Sequence, residues 1–155
     1  MDFHSDFADL CSLLNAKGVD FLIVGGYAVA FHGAPRFTGD LDILIRPNLD
    51  QVQRALAALK DFGFPSEQIV AEDVLQERSI LQLGRVPVQI YLMTSISGVN
   101  WDLAWDSREP GSYGSVPVLF IGRGALLTNK RAAGRAKDLA DVEALRPPSS
   151  PRIKE

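Results

Sequence analysis

The stretch VGGYAVAFHGAPRFTGDLDILI, from Val24 to Ile45, constrains this chain more than any other part of it. A β-favouring run, Phe21 to Val24, ends on the paired Gly25 and Gly26, and a short helical segment, Tyr27 to His32, follows. Glycines where a strand enters a helix let backbone approach a ligand closely, and exposed amides at a helix N-terminus favour an anion such as a triphosphate. Asp40 and Asp42 then flank one residue at the head of the apolar strand Leu41 to Ile45, so both carboxylates point to one face. Two carboxylates on one face repel unless a cation lies between them. Hard oxygen ligands, few in number and open to substrate phosphates, suit Mg²⁺. Such an ion would bridge protein and triphosphate and stabilise charge on a transferring phosphoryl group.

The rest of the chain reads as one domain around that stretch. Phe3, Phe7, Leu10, Leu13 and Leu14 recur at helical spacing up to a breaker at Gly18. Leu49 to Leu59 is an amphipathic helix with Val52, Leu56 and Leu59 on one face. Strands are expected near Gln68 to Ala71, Arg78 to Leu83 and Val86 to Met93, the last two joined by a turn at Gly84 and Arg85, and again at Val116 to Ile121. Trp101 to Trp105, Ala125 to Ala133 and Asp138 to Leu145 read as helices. With 155 residues, the expectation is a single domain over residues 1–146 and a disordered, proline-rich tail over 147–155. The fold class is α+β, a mixed sheet with helices packed mainly on one face.

Composition excludes several classes. Hydrophobic residues at 46% and charged residues at 23% rule out a disordered or fibrous chain. No apolar run approaches the ~20 residues of a membrane-spanning helix. The acidic start, with Asp2, Asp6 and Asp9, is unlike a secretion signal, and the single Cys11, on the apolar stripe of the first helix, fits a reduced compartment. The expectation is a cytoplasmic protein. Sixteen basic against nineteen acidic residues leave a net charge of −3, which excludes a whole-molecule basic field for duplex nucleic acid.

Basic residues do cluster late, at Arg123, Lys130, Arg131, Arg135 and Lys137. Two readings stand side by side. Lys130, Arg135 and Lys137 form a cationic wall for a triphosphate or an acceptor, with Lys130 and Lys137 the first choices. Alternatively, Asp138 and Asp141 cap a helix pair and the basic residues are solvated or salt-bridged. His32, with apolar neighbours, reads as a satisfied structural histidine, and Trp101 and Trp105, at i, i+4, read as packing residues.

At this point the chain resembles the nucleotidyltransferase superfamily, the DNA polymerase β-like fold, and within it small bacterial proteins near the minimal nucleotidyltransferases and abortive-infection toxins. The resemblance rests on GGYAVAFHGAPRFTGDLDILI, on TSISGVNWDLAW from Thr94 and on NKRAAGRAKDLADVEAL from Asn129. It implies that Gly25 and Gly26 form a nucleotide-phosphate turn and that Asp40 and Asp42 are the catalytic, metal-binding pair. Arg36 and Thr38, just before the pair, also match, and Arg36 is placed near the phosphates.

One departure matters. In such proteins a third aspartate stands in a context resembling I-D-L-L-T-S-I-S-G-V, where this chain reads Ile90, Tyr91, Leu92, Met93, Thr94. A neutral phenol is a poor Mg²⁺ ligand and a poor base at neutral pH. Gln89, two residues back, offers an amide oxygen without charge. Glu72 or Asp73 is the alternative source of a carboxylate. The two-metal site is thus expected to be incomplete, with transfer harmed more than nucleotide binding.

The functional expectation is Mg²⁺-dependent transfer of a nucleoside monophosphate from a nucleoside triphosphate to a hydroxyl of a protein, RNA or small molecule. The alternative is a catalytically degenerate nucleotide-binding or interaction protein, such as a toxin–antitoxin component. The resemblance alone adds a HEPN-type ribonuclease as a partner.

Overall fold

The run Phe21–Val24 has no polar face, so it is stable only as an inner strand covered on both sides. In the computed structural model, which describes residues 5–36, 38–85 and 88–145, it holds that position with all four residues buried. Six strands are present among these residues: β1 (Phe21–Val24), β2 (Asp40–Ile45), β3 (Ile80–Arg85), β4 (Val88–Met93), β5 (Glu109–Tyr113) and β6 (Val116–Phe120). They form one mixed sheet in the order β3-β4-β2-β1-β6-β5. β1 runs antiparallel to β2 and parallel to β6, while β2 runs parallel to β4.

The register brings the chemistry together. Val24, the last residue of β1, lies opposite Asp42, and across β2 Asp40 pairs with Gln89 and Asp42 with Tyr91. Leu41, Ile43, Leu44 and Ile45 of β2 are buried, whereas Asp40 and Asp42 are only partly covered. The strand is thus apolar over most of its length and carries its charge at the end that meets the glycine turn.

Seven α-helices accompany the sheet among the described residues: α1 (Ser5–Ala16), α2 (Gly25–Phe31), α3 (Leu49–Phe62), α4 (Ala71–Val74), α5 (Trp101–Asp106), α6 (Arg123–Ala133) and α7 (Ala136–Leu145). The Asn48 side chain accepts from Gln51 N at 2.8 Å to cap α3, and Asn100 does the same for α5 from Leu103 N at 2.9 Å. Gly63 and Gly134 end α3 and α6 in the left-handed region, at φ 108° and 68°. α1 packs beside α3 and on β5 and β6, and Phe7, Leu10, Cys11 and Leu14 enter the core. Burial pushes the Cys11 thiol up to about 12, so it packs as a small hydrophobe. No helix among the described residues is long and apolar enough to cross a membrane.

Several sequence expectations need correction. Gln68 to Ala71 is not a strand: a 3₁₀ turn over Ser66–Gln68 leads into α4, whose Val74 and Ala71 pack on Val52 of α3. An apolar run this short does not distinguish a strand from a helical turn by period alone. The β3–β4 turn is not at Gly84 and Arg85, which belong to β3 and pair with Gln89 and Val88. β5 was not expected, because Pro110 and Gly111 disfavour a strand; it lies at the sheet edge, where such residues are tolerated. There, Gly111 gives room to Phe31 and Phe120, whose rings stack at 4.1 Å. The helix expected at Tyr27 begins two residues earlier, at Gly25. The tail at 147–155 lies outside the described residues.

Candidate functional site

The end of β1, the first turn of α2, the head of β2 and α6–α7 surround a cleft of about 1100 Å³. Gly25, at φ 67°, makes the turn from strand to helix in the left-handed region. It is also the point of closest approach. A Cβ built there would lie 1.9 Å from Asp42 Oδ2, so only glycine lets the carboxylate occupy this place. Gly26 is held against the other side of the same feature, where an added Cβ would meet Thr38 Oγ1 at 2.8 Å and Arg36 Nη2 at 3.4 Å. Thr38, buried, donates to Asp40 O at 3.2 Å and accepts from Asp40 N at 3.3 Å, which fixes the entry into β2.

Asp42 lines the cleft, and its carboxyl is pushed up to about 6. Burial is the main cause and the charge of Asp40 the second, opposed by Lys130, Lys137 and Arg36. Asp40 does not line the cleft; it reaches the site through that charge. Opposite Asp42 in the register is Tyr91, which lines the cleft and donates to Gln89 Oε1. Desolvation and the two aspartates raise the Tyr91 phenol above its ordinary range, so it is neutral at physiological pH. Glu72 and Asp73 stand exposed on α4 and do not line the cleft; the carboxylate that does so from this region is Glu77.

The cationic side combines both sequence readings. Arg36, Lys130, Arg135 and Lys137 all line the cleft. Lys130, only 6% exposed, is also salt-bridged, to Asp141 Oδ2 at 3.0 Å and Asp138 Oδ1 at 3.4 Å. Arg36 Nε and Nη2 reach the Asp141 carboxylate at 3.0 and 3.2 Å, and Arg135 Nε reaches Asp138 Oδ2 at 2.6 Å. Lys137 is exposed. Away from the cleft, His32 Nε2 lies 2.7 Å from Ile121 O, in keeping with a structural histidine. Trp101 and Trp105 stack at 5.2 Å beneath the Arg46 guanidinium.

Sequence reasoning did not single out Arg78 and Ser95, which also line the cleft. Arg78 holds a positive φ of 69°, unusual for a residue that carries a Cβ, and its backbone N–H donates to Ser95 Oγ at 3.0 Å. No sequence signal marks an arginine for that conformation.

Among the described residues no three His, Cys, Asp or Glu side chains form a cluster able to enclose a metal by themselves. What is present is a carboxylate pair with cations beside it. That donor set fits Mg²⁺, which keeps few protein ligands and takes the rest from water and substrate phosphates.

No family model matches the sequence, and no curated protein matches it. Solved structures do. The lincosamide antibiotic adenylyltransferase LnuA, in its lincomycin-bound form, is 16% identical and superposes with a TM-score of 0.60 over 92% of this chain and 95% of its own. An antigenic nucleotidyltransferase-like protein from Paracoccidioides brasiliensis is 17% identical, with a TM-score of 0.55 over 95% of this chain and 78% of its own. The chain therefore shares the fold of these two solved structures, an α+β mixed sheet as the sequence resemblance implied.

Proposed function

We propose that this chain binds a nucleoside triphosphate together with Mg²⁺ and transfers the nucleoside monophosphate to a hydroxyl group. The observation that carries the reading is Asp42 seated against Gly25, on the rim of a cleft whose facing wall is cationic. Asp40 and Asp42 would hold the metal, which when bound supplies charge stabilisation to the transferring phosphoryl group. The Gly25–Gly26 turn brings the backbone amides at the start of α2 up to Asp42, Thr38 and Arg36 with no side chain of its own between, and those amides would meet phosphate oxygens. Arg36, Lys130 and Lys137 already pull the Asp42 carboxyl toward its charged form, and the same positive field would orient the polyphosphate.

For the acceptor, a compact molecule is favoured over a macromolecule. Single ligand sites span roughly 300–1000 Å³, and a cleft of about 1100 Å³ has room for a nucleotide and a second small compound. The fold neighbour LnuA is lincomycin-bound, which supports the same choice.

A second reading is supported by Tyr91. Standing opposite Asp42, a neutral phenol neither ligates Mg²⁺ well nor takes the proton of an attacking hydroxyl. On that reading the chain binds nucleotide without turnover.

Titration calorimetry of the purified protein with ATP, GTP, CTP and UTP, with and without Mg²⁺, tests the common premise. Mg²⁺-dependent binding of at least one is expected, and no binding to any would overturn both readings. Incubation of the binding nucleotide, labelled on its α-phosphate, with a panel of hydroxylated small molecules then separates them: a labelled product supports transfer.

A further inference from the structure

One carboxylate joins two cations from distant parts of the chain. Asp141, on α7, accepts from Arg36 in the segment entering β2, through Nε at 3.0 Å and Nη2 at 3.2 Å, and from Lys130 of α6 at 3.0 Å. Lys130 has a second carboxylate in Asp138, which Arg135 binds from its guanidinium and its backbone N–H. Lys130, Asp138 and Asp141 are 6%, 0% and 5% exposed. A helix pair does not need such a cluster to pack. Removing charges from water is costly, and apolar residues of similar volume commonly serve stability as well or better, so a buried ionic network is better explained by the geometry it enforces.

The geometry here points into the cleft. Three cations, Arg36, Lys130 and Arg135, gather on the carboxylates of Asp138 and Asp141, and all three line the cleft that Asp42 lines. Arg36 Nη2 also lies 3.4 Å from where a Cβ on Gly26 would stand, and Lys130 lines the same cleft. Asp141 is the group that both cations bind, and so it sets their common point.

Resting on the nucleotide-binding reading above, we propose that Asp141 is a positioning residue for the polyphosphate of the nucleotide. It holds Arg36 and Lys130 side by side in advance, so that the triphosphate meets a preformed pair of cations rather than ordering them on binding. The benefit falls on the β- and γ-phosphates, and a monophosphate gains little from it.

The test compares wild type, Asp141→Asn, Arg36→Gln and the double variant by calorimetry in Mg²⁺, using the triphosphate that binds wild type and the matching monophosphate. Asp141→Asn is expected to weaken the triphosphate by about tenfold or more, the size of one lost charge-assisted contact, and the monophosphate by less than about twofold. In the Arg36→Gln background the same change is expected to cost less, because one of the two cations it positions is gone. Equal weakening of both nucleotides, or an equal cost in both backgrounds, would show a general structural role and overturn the proposal. Should Asp141→Asn not fold, Asp141→Glu keeps the charge and displaces the carboxylate by one methylene; it carries the same expected split and the same overturning result. Wild type that binds no triphosphate overturns the functional reading together with this one, whereas wild type that binds with Asp141→Asn unaltered overturns this one alone.

Discussion

Gly25 and Asp42 occupy space that only one side chain can fill: a Cβ on the glycine would stand 1.9 Å from the aspartate's Oδ2. Gly25 also holds φ at 67°, so alanine there meets backbone strain as well as collision. Gly25→Ala is expected to destabilise the protein by about 2 kcal/mol or more and to remove Mg²⁺-dependent nucleotide binding. Gly26 has no left-handed φ, and its nearest neighbour is the Thr38 side chain. Gly26→Val is therefore expected to weaken nucleotide binding by crowding the phosphate approach, with a smaller loss of stability than Gly25→Ala. Urea denaturation and calorimetry on the pair check the order, and a Gly25→Ala protein as stable as wild type would count against the wedge.

The raised carboxyl of Asp42 gives a pH prediction whose sign is fixed. Its folded value, about 6, lies above the ordinary 3.8, so between these values the native state holds a proton that the unfolded chain releases. Stability from this group is complete below about pH 4 and is lost as the pH rises through 6. At pH 7.5 the charged, partly buried carboxylate costs up to about 3 kcal/mol. Asp42→Asn is accordingly expected to raise the denaturation midpoint at pH 7.5 without Mg²⁺ or nucleotide, to do so by about half as much at pH 5, and to lose Mg²⁺-dependent nucleotide affinity. A variant that binds nucleotide like wild type would sink the assignment of Asp42 to the metal.

How much of this was legible in the sequence follows from how local each signal is. Phe21–Val24, the glycine pair and the Asp40–Asp42 alternation are short-range patterns, and the sheet places them as those patterns require. Residues 68–71 are ambiguous in sequence because an apolar stretch of that length fits either a strand or the α4 turn, and packing against Val52 decides it. β5 could not be seen, since Pro110 and Gly111 are admitted only by an edge position that no local pattern announces. In the site, Lys130 and Lys137 looked alike. Their difference arises from Asp138 and Asp141 folding back on Lys130 alone, a contact of tertiary origin.

Tyr91 is open to a gain-of-function test. The register sets it opposite Asp42 and beside the cleft, where a carboxylate would complete a trio with Asp40 and Asp42. Tyr91→Asp is expected to lower stability in the absence of metal, by like-charge repulsion, and to recover that loss when Mg²⁺ is added. If the wild type lacks transfer activity and the variant acquires it, the phenol accounts for the silence. A wild type that already transfers nucleotide refutes degeneracy outright.

Lys130 and Lys137 separate the structural part of the cationic wall from its exposed part. Lys130 bridges two carboxylates that are almost wholly buried, so Lys130→Ala leaves Asp138 to Arg135 and Asp141 to Arg36 and is expected to cost about 1–3 kcal/mol in stability, whatever it does to nucleotide binding. Lys137 lies exposed on the same cleft and acts on Asp42 only through its charge. Lys137→Ala is expected to leave stability within about 0.5 kcal/mol of wild type, to weaken the triphosphate severalfold, and to lose that effect as salt is raised and the interaction is screened. Thermal melts and calorimetry at low and high salt read both quantities on the same samples. Two variants with matching losses of stability would mean that the ion network of α6 and α7 does not distinguish the lysines, and the division of the wall into a braced and an open part would fail.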